Sequence, residues 1–345
     1  MKRDYFHRVS AQTPTRFWIN NVTREETDLA LEAGAVGCTQ NPSYVYKMLT
    51  NDLEKEYASG VLNKIIAEIN DNDLAQETLQ RELVREIALR FLPLWEKSNG
   101  KYGYVSIQGN PFKEDVDNLI RNARFNRKAG ANIMCKIPAT EDGLKAIEVL
   151  MAEGSPINAT EVMGVRQAMD VCDVYDKVAS KMKNPPPVYI SHITGIYDEY
   201  LGKYIKNNGI DISSDTMWQA GMIIARKVRR LMDERNSSVG FIGGGARGLH
   251  HYTEMVGAEC CVTINWKGTA EELIKLDPPV VDRFHIQTPD SVLDELLEKV
   301  DDFKRGWMTY GLKASEYEEF GPVVLFRESF EKAWKGAVEL ISKRR

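Results

Sequence analysis

The chain has 345 residues, with 45 Lys and Arg against 50 Asp and Glu and a formal net charge of −5. Hydrophobic residues make up 43% and charged residues 28%, which excludes a disordered chain, a collagen and a coiled-coil rod. The mildly acidic balance speaks against nucleic acid as main partner, and no apolar run approaches the ~20 residues that span a bilayer. The start MKRDYFHRVSAQTPTRFW is charged but has no apolar segment behind it, so a secretory signal is not expected. Cys38, Cys135, Cys172, Cys260 and Cys261 are scattered and odd in number. That usage points to reduced thiols in a cytoplasmic protein, and the absence of a CxxC pair speaks against zinc.

In chain order, short apolar runs alternate with longer amphipathic segments. The first strand is expected at residues 16–20 (RFWIN). A helix follows at 23–33, where Thr23 and Glu26 have the spacing of a capping box. The second strand falls at 35–39 (AVGCT), and residues 44–97 hold three helices before the third strand at 104–108 (YVSIQ). Then come a helix at 114–128, a strand at 132–137 (NIMCKI), a helix at 141–152 and a strand at 156–160 (PINAT). A helix at 165–183, a strand at 188–191 (VYIS), a helix at 216–234 and strands at 239–243 and 259–264 complete the alternation. Several strands are apolar on consecutive residues, as parallel strands covered on both faces require. Eight such units predict an α/β fold, a (β/α)₈ TIM barrel over about residues 15–275, rather than an open sheet. A helical extension is expected over about 289–345, with a terminal helix at 322–343 that carries Phe330 and Trp334 and lies across the barrel or at a subunit contact, and the whole reads as one domain.

In a barrel, chemistry sits where the strands end at their C-terminal face. Lys136 ends an otherwise apolar strand. Desolvation there lowers an amine pKa and yields a nucleophile able to form a Schiff base; the other reading is an ammonium that snorkels to solvent. Arg247 follows FIGGGA. Exposed N–H groups of a glycine run and a guanidinium suit a phosphate, but a flexible loop with a solvent arginine fits equally. Thr160 and Ser191 end strands and either hold a hydroxyl or water or satisfy local backbone groups. Glu161 is a general acid/base or a loop charge, and His192 is a titrating or merely hydrogen-bonded histidine. Asn20, Asn41 and Gln108 are the remaining polar residues at strand ends. His250 and His251, adjacent in a helix, are expected on different faces and make a poor metal pair.

These residues stand in an order that resembles the transaldolase family. CTQNPS at 38–43 resembles the family's GVTTNPS turn, and residues 132–160 (NIMCKIPATEDGLKAIEVLMAEGSPINAT) resemble its lysine strand and the next unit. RQA at 166–168, YISHITGIYDE at 189–199 and GGGARGLHHYTEMVGAECCVT at 243–263 match later segments. The resemblance covers about residues 15–273. It implies a (β/α)₈ barrel and class I aldolase chemistry with neither organic cofactor nor metal. Lys136 falls on the Schiff-base lysine, Thr160 on the threonine that positions the catalytic water, and Ser191 on the strand-six serine. Asn41 falls on the asparagine at the substrate hydroxyls and Arg247 on a phosphate-binding arginine. The implied substrate is a ketose or ketose phosphate, cleaved between C3 and C4, whose dihydroxyacetone unit is transferred or released.

The chain also departs from the family. The strand-one aspartate aligns with Asn20, so the base that serves carbon–carbon cleavage, worth ~10²–10⁴ in rate, needs a replacement. The strand-three glutamate aligns with Gln108, as in the fructose-6-phosphate aldolase branch. The second phosphate arginine aligns with Ile196. Glu161 or His192 is expected to carry the displaced proton transfers. Two rivals stand beside the enzyme. One is a catalytically impaired sugar- or sugar-phosphate-binding barrel with a regulatory role. The other is an assembly role in a homo-oligomer held through Phe330 and Trp334.

Overall fold

The computed structural model describes residues 4–345. Eight parallel strands close into a barrel in sequence order. They are β1 (Arg16–Asn20), β2 (Gly37–Gln40), β3 (Tyr104–Gln108), β4 (Ile133–Pro138), β5 (Ile157–Val162), β6 (Val188–His192), β7 (Gly240–Gly243) and β8 (Cys261–Ile264). β1 pairs with β8, which leaves no open edge. The eight expected strands are all present, with ends shifted by no more than two residues.

The pleat sorts each strand into an inner and an outer set. Trp18, Tyr104, Met134, Ile242 and Cys261 form one buried cluster that plugs the barrel, with Tyr189 packed against it. A Cβ at Gly37 would run into the Trp18 ring, so the bulkiest plug residue needs a glycine on the neighbouring strand. The outer set, with Phe17, Val105, Ile133, Ile157, Ile190 and Phe241, packs under the surrounding helices in the main core.

The capping box at Thr23 and Glu26 is formed, with Thr23 Oγ1 accepting from the Glu26 N–H at 3.1 Å and Glu26 Oε2 from the Thr23 N–H at 2.8 Å. The three helices between β2 and β3 are Tyr44–Thr50, Lys55–Ile66 and Asn72–Lys97. Three further helices, Tyr5–Gln12, Thr194–Asn208 and Glu271–Leu276, were not among the expected elements. The extension contains Asp290–Lys299, Asp301–Trp307 and the terminal helix Gly321–Ser342, with Pro322 in its first turn. That terminal helix packs on Tyr44–Thr50, Asn72–Lys97 and Thr194–Asn208 and reaches β5, so it crosses the C-terminal mouth of the barrel.

Phe330 and Trp334 are 2% and 1% exposed. The terminal helix spends them on its own barrel, which corrects the expectation that they hold an oligomer. His250 and His251 also depart from expectation: in the four-residue helix His250–Thr253 their rings lie 3.9 Å apart instead of on different faces. So short a turn does not spread neighbouring side chains around a full helical surface.

Candidate active site

A cavity of about 300 Å³ opens at the C-terminal mouth, under the terminal helix. Asn20, Asn41, Lys136, Ser191 and Arg247 line it, which unites five of the expected site residues. Phe326, Ser329 and Phe330 of the terminal helix form its roof.

Lys136 is on the inner face of β4, in register with Gln108 of β3 and Asn158 of β5. It is 5% exposed, and its Nζ lies 6.0 Å from the centre of the Phe330 ring. Burial pulls its pKa down from the usual lysine value to about 8, against the opposing charge of Glu161. An ammonium snorkelling to solvent is not what this residue does. Beside it, Ser191 Oγ donates to Asn158 Oδ1 at 2.7 Å, and Asn158 Nδ2 donates to Ser106 Oγ at 3.2 Å. Asn158 and Ser106 escaped the sequence reading. Their signal was a polar residue at inner parity in a buried strand, where it needs a partner.

On the opposite wall, Asn20 Oδ1 accepts from Thr39 Oγ1 at 2.8 Å, and Asn20 Nδ2 donates to Asn265 Oδ1 at 2.9 Å. Asn41 Oδ1 accepts from Asn21 Nδ2 at 2.8 Å and from Ser43 Oγ at 2.6 Å. These amides form a neutral hydrogen-bonding surface, and no proton acceptor of carboxylate strength stands among them.

The carboxylate comes from β5. The register slips between Ala159 and Val162, and Glu161 has a φ of +60°. Strand alternation would send Glu161 outward with Ala159. A bulge re-aims it, at a backbone cost of ~1–3 kcal/mol for a left-handed non-glycine residue. Its Oε1 then accepts from Gln108 Nε2 at 2.7 Å. Burial raises the Glu161 carboxyl above the usual range, while the Gln108 hydrogen bond and the Lys136 charge pull the other way. Glu114 follows the same direction, raised well above the carboxylate range by burial and then by the charge of Glu161. Glu161 Oε2, Gln108 Oε1 and Thr160 Oγ1 are buried polar atoms without a protein partner. Such atoms in a native interior need a ligand or water to bind.

His192 is not brought to the cavity. It follows Ser191 and therefore faces outward, where its ring stacks on Phe241 with centroids 6.3 Å apart. Nδ1–H donates to Val162 O at 2.9 Å. Burial lowers its pKa to about 4, so it is neutral at physiological pH.

Arg247 reaches the cavity rim with its side chain 45% exposed, its Nε donating to Glu199 Oε2 at 2.7 Å. The loop before and around it is only partly tied down: the Gly245 and Ala246 N–H groups, both of residues that line the cavity, have no hydrogen-bond partner among the described residues. Gly244 N–H donates to His192 O at 2.9 Å, and the N–H groups of Arg247 and Gly248 both donate to His251 Nδ1 at 3.2 Å. His251 Nε2–H in turn donates to Asp198 Oδ2 at 2.8 Å. Asp198, His250 and His251 bring donor atoms within 4.8 Å of one another, a spacing that suits a metal. Both His251 nitrogens are already spent on the loop and on Asp198, so this trio fits a brace better than a metal site.

Comparison with known proteins agrees with this architecture. The family model described as transaldolase/fructose-6-phosphate aldolase matches residues 17–313. A Mycobacterium leprae protein named transaldolase is 28% identical over 228 residues, covering 61% of this chain and 59% of its own length. A Mycobacterium tuberculosis transaldolase is 27% identical over the same span and shares. A Thiobacillus denitrificans transaldolase is 29% identical over 167 residues, 46% of each chain. The chain thus spans about 59% of the length of the mycobacterial relatives it matches. By the extent of the family match, the chain belongs to the transaldolase/fructose-6-phosphate aldolase family.

Proposed function

We propose that the chain is a Schiff-base enzyme that cleaves a ketose or ketose phosphate between C3 and C4. The observation that carries this reading is Lys136: a buried amine, with its pKa drawn to about 8, in the wall of the cavity. A fair fraction of it is neutral near pH 7–8, and a neutral amine attacks a carbonyl.

The Nζ lone pair adds to C2, and loss of water from the carbinolamine gives an iminium. The C4 hydroxyl then loses its proton to a base, the C3–C4 bond breaks, and its electron pair flows to the iminium nitrogen. An aldehyde leaves and an enamine stays on Lys136. Attack on an acceptor aldehyde transfers the three-carbon unit. Protonation and hydrolysis release it instead as dihydroxyacetone.

Glu161 is assigned the proton transfers that neither Asn20 nor Gln108 supports. Gln108 and Thr160 hold the reacting water between them and Glu161. Asn20, Asn41 and Ser191 bind sugar hydroxyls. The test is borohydride trapping with dihydroxyacetone and a panel of ketoses and their phosphates, read by intact mass and peptide mapping. The expected result is a stable adduct on Lys136, and with a cleavable ketose the mass of a three-carbon remnant. An adduct of whole sugar only, with no remnant, would favour the binding barrel over the enzyme. Folded protein with no adduct on Lys136 overturns the Schiff-base reading.

A further inference from the structure

Resting on that reading, we infer that Asp198 and His251 are positioning residues, a buried pair that sets the loop 244–248 so that it holds the phosphate end of a ketose phosphate. The cavity lining shows first where that end goes. Among the described residues that line it, the charged side chains are Lys136 and Arg247, both cations. Lys136 takes the carbonyl, which leaves Arg247 for an anion. Its Nε is held by Glu199 at 2.7 Å, and Nη1 makes only long contacts, 3.4 and 3.3 Å, with the carbonyls of Gly245 and Ala246. Nη2 has no partner among the described residues.

The loop adds two donors beside it. The Gly245 and Ala246 N–H groups, both of cavity-lining residues, have no partner among the described residues. Gly245 has a φ of +67°, and a left-handed residue in a turn lets successive N–H groups converge on one anion. A phosphate held there takes backbone N–H groups together with a guanidinium, and such charge-assisted hydrogen bonds are the strong ones. The seat works only if the loop keeps one shape, because ordering a loose loop on binding subtracts from affinity.

Asp198 and His251 hold that shape. The N–H groups of Arg247 and Gly248, which follow the two free donors directly, both donate to His251 Nδ1 at 3.2 Å. Nδ1 therefore keeps its lone pair, and the ring proton sits on Nε2, which donates to Asp198 Oδ2 at 2.8 Å. Asp198 Oδ1 accepts from the Gly221 N–H of the helix Ser214–Glu234 at 2.6 Å, so the pair ties the loop to a second helix. Asp198 and Glu199 are neighbours on the helix Thr194–Asn208. The first fixes the backbone of Arg247 through His251, and the second fixes its side chain. The loop also lies directly on that helix, since a Cβ at Gly195 would run into Gly245 O and the Arg247 nitrogen. The Asp198 and His251 side chains are 14% and 2% exposed, and neither lines the cavity, so they act on the substrate through the loop.

The test uses the full chain and borohydride trapping on Lys136, read by intact mass and peptide mapping. Dihydroxyacetone carries no phosphate, so its adduct reports the Schiff-base reading alone. No adduct there overturns that reading and this inference with it, whereas an adduct confines any later failure to the loop. The concentrations of D-fructose and of D-fructose 6-phosphate that give half-maximal trapping are then compared, whole sugar and three-carbon remnant both counting as adduct. In the parent the phosphate is expected to need an about tenfold lower concentration, or less still, and a smaller difference overturns the phosphate seat. Both sugars share the reacting end, so a general loosening of the fold weakens both and leaves their ratio. His251→Leu removes the acceptor and is expected to lower the ratio by about threefold or more. His251→Asn, whose Oδ1 can stand where Nδ1 stood, is expected to keep more of the ratio than His251→Leu does. A smaller fall in folded His251→Leu reduces the pair to a structural brace and sinks the positioning role. Should His251→Leu fail to fold, Asp198→Asn, of equal size, is read by the same threshold.

Discussion

Glu161 and His192 look equivalent in the sequence, since each is a titratable side chain at the end of a barrel strand. The pleat separates them. Ser191 faces the cavity, so His192 must face the helices, and it hydrogen-bonds Val162 O there. Glu161 should also face outward, but its φ of +60° turns the carboxylate back to Gln108. The two residues therefore predict opposite phenotypes. Glu161→Gln keeps the size of the side chain and removes its proton chemistry, so kcat should fall by ~10²–10⁴ with stability little changed. His192→Ala opens a cavity and loses one buried hydrogen bond, so stability should fall by ~2–4 kcal/mol. Its activity at a temperature where the variant is folded should stay within about threefold of the parent, because a group 6.3 Å from Phe241 on the outer face touches no substrate. Steady-state kinetics and urea unfolding of both variants decide the assignment. A kinetic defect in His192→Ala as large as that in Glu161→Gln would return the histidine to the site. The outward place of His192 was legible from Ser191 and period-two alternation. The inward place of Glu161 was not, because INATEV contains no glycine or proline to announce a bulge.

Elements were legible where burial on both faces writes itself into composition. β3, β4 and β5 are buried along their whole length, and their apolar runs could be read directly. The helix Thr194–Asn208 escaped because it buries Thr194, Gly195, Ile196 and Tyr197 in one run and then exposes most of its later turns, which leaves no regular apolar stripe. The helix Tyr5–Gln12 is only eight residues long, and its rings join an aromatic cluster in which Phe6 stacks on Phe17 with centroids 4.1 Å apart. Tertiary packing rather than local propensity makes such a helix. The terminal helix was legible, and of the two places read for it, across the barrel or at a subunit contact, it takes the first. Trp334 is its anchor, 1% exposed and donating Nε1–H to Asp73 Oδ1 at 3.2 Å. One turn earlier, Phe330 roofs the cavity. Trp334→Ala should cost ~3–5 kcal/mol by urea unfolding. It should also raise KM more than it lowers kcat, since the roof loosens while Lys136 and Glu161 stay on their strands. A loss below about 1 kcal/mol would show that the helix docks without its tryptophan.

For the molecule as a whole, a barrel that buries an amine in the wall of its cavity gives up stability to do so. Lys136 has a folded pKa of about 8 against an ordinary value of 10.5, caused first by desolvation. At pH 7 the ammonium is therefore disfavoured in the folded state and unrestricted in the unfolded one. Between pH 8 and 10.5 the unfolded chain binds more protons at this residue than the folded chain, so its contribution makes stability rise with pH across that window. Lys136→Met fills a similar volume without a charge to desolvate. The variant should lose all borohydride trapping and yet unfold at higher urea, by about 1–3 kcal/mol at pH 7. Its advantage should shrink as the pH is raised from 8 toward 10.5, because the parent amine becomes neutral there in both states. Paired urea titrations at pH 7, 8.5 and 10 would show this convergence. A gap that stays constant with pH would mean that packing around Phe330, and not the buried charge, separates the two proteins.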